Sequence, residues 1–101
     1  MHPVKSNGSF LAARISPNPL NPKATLTFST TKPGLVKVTM YDLQGRLVKQ
    51  IADEQFVPAG YHDFSIDGTN ANGNRVASAV YFVKVWSEFD GTEVQRITVM
   101  K

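Results

Sequence analysis

The sequence predicts an all-β fold for this chain. Segments in which apolar and polar residues alternate are separated by turn residues about every 8–12 positions, the spacing typical of β-sandwiches and barrels. No segment combines a 3.6-residue apolar period with helix caps, so no helix longer than one turn is expected. The 101 residues contain no cysteine, so one modest hydrophobic core must hold a single domain together without disulfides.

The first two predicted strands flank a proline-rich segment. One strand follows Ala13, and the other is Thr25–Thr30, in which Leu26 and Phe28 point to the same side. Between them, residues 16–22 contain three prolines. Because proline fixes φ and has no amide hydrogen, this segment is expected to be extended but irregular.

The next two strands are predicted to form a hairpin. The outgoing strand alternates polar residues with an apolar set, which consists of Val36, Val38 and Met40. Residues 42–45 end in a glycine that can adopt the positive φ of a tight connection. The return strand is predicted at Leu47–Ile51.

Three more strands complete the count, at Tyr61–Asp67, Ala79–Ser87 and Val94–Met100. The strand that begins at Ala79 has the strongest pattern. One of its faces carries Tyr81, Val83 and Val85, and the other carries Val80, Phe82, Lys84 and Trp86. About seven antiparallel strands suit an immunoglobulin-like β-sandwich, and a β-barrel is the alternative.

Charge and hydropathy exclude two classes of partner. Residues 1–50 carry a net charge of +6 and residues 51–101 one of −3, and the basic residues occur singly rather than in a cluster. Because nucleic-acid binders concentrate positive charge in a patch, we predict no nucleic-acid partner. No apolar run approaches the roughly 18–20 residues of a membrane span, so we predict no insertion into a membrane.

The titratable residues form no recognisable catalytic site. Of the two histidines, His2 lies in a polar terminal segment. His62 is followed by Asp63, and adjacent strand residues point to opposite faces, so the two cannot act as an oriented pair. The remaining carboxylates are predicted on loops and strand edges, at Asp67, Glu88, Asp90 and Glu93. We therefore predict that the domain is not an enzyme.

A calcium site and an aromatic ligand face are weaker candidates. Asp67, Asn70 and Asn72 resemble a calcium loop, but the spacing fails the EF-hand pattern at both charged ends. The favoured interpretation is that they bond their own backbone in Asx-turns and that the domain has no cofactor. Phe82 and Trp86 share a strand face that could pack under a loop such as 17–22, contact a partner protein or stack on a sugar.

The order of the motifs resembles that of the C-terminal sorting domains of the type IX secretion system. The matching segments are the Pro-Asn-Pro…Asn-Pro opening at 17–22, the VTMYDLQGRLV hairpin at 38–48, the PAGYH turn at 58–62, the DGTNANG…VASAVY stretch at 67–81 and the basic and apolar final strand at 96–101. The related Ig-like domain of flagellar hook-capping proteins shares the central part of this pattern. The match covers about residues 13–101, and no single motif is specific by itself.

The resemblance implies a function in recognition. It implies that residues 13–101 form a sorting domain behind a linker or chain end at 1–12, and that any cleavage would fall near residues 1–14. Its implied partners are an upstream cargo domain, the outer-membrane translocon and the machinery that processes and attaches cargo, with a final location outside the cell or on its surface. The implied recognition or shape-setting residues are Pro17, Asn18, Pro19, Gly60, Gly73, Arg96, Ile97, Val99 and Lys101.

The position of the final strand in its sheet bears on this hypothesis. If the final strand lies at a sheet edge, a partner could bind its unpaired backbone by strand addition; otherwise the strand only completes the sheet.

Two other functions remain open for the whole domain. One is a structural spacer or assembly module, and the other is a carbohydrate-binding accessory domain of a polysaccharide-degrading enzyme.

Overall fold

The computed structural model describes residues 11–100 and contains two antiparallel sheets packed as a β-sandwich. The seven strands are β1 (Arg14–Ser16), β2 (Ala24–Thr30), β3 (Gly34–Tyr41), β4 (Leu47–Val57), β5 (Gly60–Ile66), β6 (Ala79–Ser87) and β7 (Gly91–Val99). One sheet has the order β1-β2-β5 and the other the order β4-β3-β6-β7. The predicted all-β sandwich is confirmed.

The core lies between the two sheets and uses the predicted inward faces. In the three-stranded sheet, Leu26 and Phe28 are buried, and Phe28 stacks on Phe64 at a centroid distance of 5.8 Å. The four-stranded sheet contributes a larger buried set, namely Val36, Val38, Met40, Tyr81, Val83, Val85, Ile97 and Val99. Strict alternation along each strand places these apolar side chains on one face.

Two strands are longer than predicted, because irregularities disguise their alternation. β4 continues to Val57, where the prediction ended at Ile51. Its pairing with β3 contains register shifts, and Glu54 has a φ of 46°, as expected of a bulged edge strand. β7 begins at Gly91 rather than at Val94, and a buried acid, Glu93, occupies an inward position where the pattern requires an apolar residue.

The packed fold begins earlier than residue 13. The Leu11 side chain is completely buried, and its carbonyl accepts a hydrogen bond of 2.9 Å from the Ser29 amide of β2. Leu11 therefore packs with the sandwich, although it falls within the predicted linker at 1–12. Residues 1–10 of that linker lie outside the described residues. Within residues 11–100, no helix is long and apolar enough to cross a membrane.

Candidate recognition surface

The Pro-Asn-Pro segment and the final strand, 78–80 positions apart in sequence, are joined by the Asn18 side chain. Its amide nitrogen donates to the Arg96 carbonyl at 3.0 Å, and its amide oxygen accepts from the Thr98 amide at 2.9 Å. Two positions on, the Leu20 amide donates to the Thr98 carbonyl at 3.0 Å. One asparagine side chain thus bonds the strand edge much as a neighbouring strand would.

These bonds change the expectation for strand addition. β7 is an edge strand of the four-stranded sheet, as the hypothesis required. However, the outward carbonyl of Arg96 and both backbone groups of Thr98 are already hydrogen-bonded to Asn18 and Leu20. The buried Leu20 side chain anchors the segment beside Val99. An added strand would have to displace this segment before it could pair with that part of β7.

The predicted recognition residues divide into an exposed group and a buried group. Pro17, Asn18, Pro19 and Arg96 are exposed, and together they form what we call the Asn18 surface. Ile97 and Val99 are 0% and 1% exposed, so their side chains hold the strand in the core. Lys101 lies outside the described residues.

Asn18→Ala is expected to lower the free energy of unfolding by about 1–2 kcal/mol, because it removes two hydrogen bonds whose net value is about 0.5–1.5 kcal/mol each. Urea unfolding followed by circular dichroism measures this change. Asn21→Ala is the matched control, since Asn21 also precedes a proline and its side chain is exposed. Equal effects of the two substitutions would contradict the assigned role of Asn18.

The end of the sandwich away from Leu11 is organised by two Asx-type loops. In the β3–β4 hairpin, the Asp42 carboxylate accepts from the amides of Gln44 and Arg46 and from Nε of Arg46 at 2.8–2.9 Å. The backbone hydrogen bond from Arg46 is the main reason that the pKa of Asp42 lies below its usual value. In the β5–β6 connection, the Asn70 side-chain oxygen accepts from the amides of Asn72 and Asn74. Gly73 in this connection has a φ of 84°, and Gly60, in the β4–β5 turn at the other end of β5, has a φ of 121°.

Tyr81 lies beneath the cleft between these two loops. Its hydroxyl donates to the Ala77 carbonyl at 2.7 Å, which ties the start of β6 to the loop before it. Burial, and to a lesser degree the nearby Asp42 carboxylate, raise the pKa of Tyr81. The cleft has a volume of about 770 Å³, and its rim includes the exposed side chains of Leu43 and Leu47.

Two oxygens of the calcium candidate, Asp67 Oδ1 and Asn70 Oδ1, already have hydrogen-bond donors. Asp67 Oδ1 accepts from the Thr69 hydroxyl at 2.6 Å, from the Thr69 amide at 3.1 Å and from Lys49 Nζ at 3.4 Å. The Thr69 hydroxyl is the main cause of the lowered pKa of Asp67. Asn70 is engaged as described above, and Asn72 is exposed. These contacts form the Asx-turn arrangement that the sequence favoured over a metal site.

His62 and Asp63 make their hydrogen bonds on opposite faces of the three-stranded sheet. His62 Nε2 lies 2.7 Å from the Pro58 carbonyl, whereas Asp63 accepts from Thr27 on the other side of the sheet. Among residues 11–100, no group of three or more His, Cys, Asp or Glu side chains could hold a metal ion. The structure thus separates the only adjacent His-Asp pair of the sequence.

Two of the carboxylates that were predicted on loops and strand edges are buried, Asp90 at 3% and Glu93 at 8% exposure. Asp90 accepts from the amide and hydroxyl of Thr31, which connects the β6–β7 turn to the β2–β3 turn. Glu93 accepts from the Ala13 amide at 3.2 Å. Sequence reasoning missed both roles, because each acceptor serves a backbone amide at least 59 positions away.

Phe82 and Trp86 lie on the outer face of the four-stranded sheet and are half-buried. The interpretation that segment 17–22 covers them is wrong, because Asn18 and Leu20 hold that segment along the edge of β7. Lys37 on β3 pairs in register with Trp86, and its ammonium lies 5.7 Å from the centre of the indole ring. The outer face therefore presents aromatic rings and a cation together.

Comparison with known proteins gives a family and several structural relatives. The model of the FlgD Ig-like domain family matches residues 20–91. The search of curated proteins finds no match. PorZ of Porphyromonas gingivalis, an essential surface component of its type IX secretion system, is similar at 26% identity and a TM-score of 0.59, over 89% of this chain and 12% of that one.

Two further solved structures share the fold. Dimeric latent PorU of P. gingivalis is 20% identical with a TM-score of 0.69, over 87% of this chain and 9% of its own. FlgD of Xanthomonas campestris, which acts in hook capping during flagellar assembly, is 28% identical with a TM-score of 0.56, over 89% of this chain and 63% of its own. The chain thus spans only a small part of the P. gingivalis proteins and less than two thirds of this FlgD.

Proposed function

We propose that this chain, which belongs to the FlgD Ig-like domain family, is a non-catalytic sorting and cell-surface attachment module of a larger secreted bacterial protein. In this proposal, the outer-membrane translocon of a type IX system and its processing and attachment machinery bind the folded sandwich. The cargo lies upstream, and the destination is the cell surface or the medium.

The observation that carries the proposal is the pair of hydrogen bonds that the Asn18 side chain makes with β7, donated to the Arg96 carbonyl and accepted from the Thr98 amide. The motifs at the two ends of the sequence are the ones that favour a sorting domain over a hook-capping module, and these bonds bring both ends into one surface. The similarity to PorZ, a surface component of the type IX secretion system, supports the same function.

In this account, the translocon binds the Asn18 surface through exposed groups. Pro17 and Pro19 fix a bent backbone on either side of Asn18, and Arg96 adds an exposed positive charge on β7. Ile97 and Val99 act indirectly, because their buried side chains fix the strand that carries Arg96. Recognition of a folded surface needs no active site.

A second candidate is a structural assembly module. The observation that favours it is the 28% identity to FlgD of X. campestris over 89% of this chain. Such a module would bind copies of itself or a filament subunit, and no transport machinery would act on it.

A reporter assay separates the two candidates. We would fuse residues 1–101 behind a reporter that carries a periplasmic signal, in a host with type IX machinery and in the same host without its translocon. The sorting proposal predicts reporter on the surface or in the medium only when the translocon is present. Reporter retained in the periplasm of both strains would contradict it and favour the assembly module.

A further inference from the structure

The outer face of the four-stranded sheet carries a row of aromatic side chains that the core does not use. Tyr41 of β3 pairs in register with Phe82 of β6, and Trp86 follows four positions further along β6. All three are half-buried, and none belongs to the cluster of apolar side chains between the sheets. Their positions follow from the alternation that directs Met40, Val83 and Val85 inward.

A groove runs across this face between two of the aromatic rings. It has a volume of about 300 Å³. Its lining consists of two aromatic rings, two lysines, two polar side chains and one leucine, namely Tyr41, Trp86, Lys37, Lys84, Thr39, Gln50 and Leu47. Four strand positions separate the level of Tyr41 from that of Trp86, which corresponds to about 13 Å along the strands. This length suits an extended chain of sugar units better than a single ring.

The charge of the groove is positive. Lys37 is paired with Glu54 at 3.2 Å while its ammonium also lies over the Trp86 ring. Lys84 is exposed and lies opposite Thr39, between Phe82 and Trp86 on its own strand. In the part of the chain that the structure describes, Lys84 takes part in no ion pair. An anionic group of a ligand would therefore meet an available cation flanked by aromatic rings.

We propose that the groove between Tyr41 and Trp86 binds an acidic polysaccharide, with Trp86 stacking on a sugar face and Lys84 pairing with a carboxylate or sulfate. Aromatic rings suit the apolar face of a sugar, and Thr39 and Gln50 offer hydrogen bonds to its hydroxyls. Single-stranded nucleic acid fits less well, because a phosphate backbone needs a row of cations and this groove has one unpaired lysine. The inference is independent of the secretion route proposed above.

Trp86 is the only tryptophan of the chain, so its fluorescence reports on the groove directly. The full chain would be titrated with polygalacturonate at low salt, with the neutral glucan pullulan and with poly(dT). A saturable change in Trp86 fluorescence is expected with polygalacturonate alone. The proposal would be overturned by unchanged fluorescence with polygalacturonate, by an equal fluorescence change with pullulan, or by tighter binding of poly(dT).

Two substitutions locate the site. Lys84→Gln is expected to weaken binding of polygalacturonate about five- to tenfold, as the loss of one charge-assisted contact requires. Arg75→Gln removes an exposed cation outside the groove, and it is expected to leave the affinity for polygalacturonate unchanged. The Trp86→Ala variant is followed by its migration through a gel that contains polygalacturonate. It is expected to migrate without the retardation of the unchanged domain, and a retarded variant would contradict the assignment. Its far-ultraviolet circular dichroism checks that the variant is folded.

Discussion

Tyr81→Ala is expected to lower the free energy of unfolding by about 3–5 kcal/mol, the usual cost of replacing a buried aromatic side chain with alanine. Tyr81 is 5% exposed and lies on β6, one of the two central strands of the four-stranded sheet. Its loss would leave a cavity beside Ile97, its partner in register on β7. Equilibrium unfolding in urea measures the effect.

Tyr81→Phe is the matched control, because it keeps the ring and removes only the hydroxyl that bonds the Ala77 carbonyl. Its expected cost is about 0.5–1.5 kcal/mol, the net value of one hydrogen bond. A loss below about 1 kcal/mol for Tyr81→Ala would mean that the β6 side chains do not face the core as described.

Most of the fold could be predicted from the sequence, because alternation along regular strands reports directly on burial. Tyr81, Val83 and Val85 were placed on the correct face of β6 for this reason. The errors occurred where alternation is interrupted. Glu54 with its positive φ disguised the second half of β4, and the buried Glu93 disguised the start of β7. Local pattern cannot anticipate a buried carboxylate whose donor is distant in sequence.

The candidate surface could be predicted only in part. The motifs singled out Asn18 and Arg96 as separate positions at opposite ends of the chain. Their connection depends on where segment 17–22 runs, and three prolines predict its extended form but not its direction. The hydrogen bonds from Asn18 to β7 are long-range contacts with no local signature. Because the sequence does not indicate the direction of this segment, the segment was also expected to cover Trp86.

Arg96→Glu is expected to reduce export of a fused reporter about tenfold or more, because it reverses the charge in the middle of the Asn18 surface. The Arg96 side chain is exposed, so the sandwich should remain folded. A truncation at Arg96 would be less informative, since it would also remove Ile97 and Val99 from the core. Lys32→Glu provides the same change of charge on the exposed β2–β3 turn, away from that surface.

The most direct test of the account is therefore the fraction of reporter found on the surface and in the medium for these two variants, in one host with intact type IX machinery. Recognition of the Asn18 surface predicts that Arg96→Glu accumulates in the periplasm, while Lys32→Glu, which loses a contact of 5.6 Å between its ammonium and the Phe89 ring, is exported like the unchanged domain. Export of Arg96→Glu at the level of the unchanged domain would contradict the claim that the Asn18 surface is what the machinery recognises.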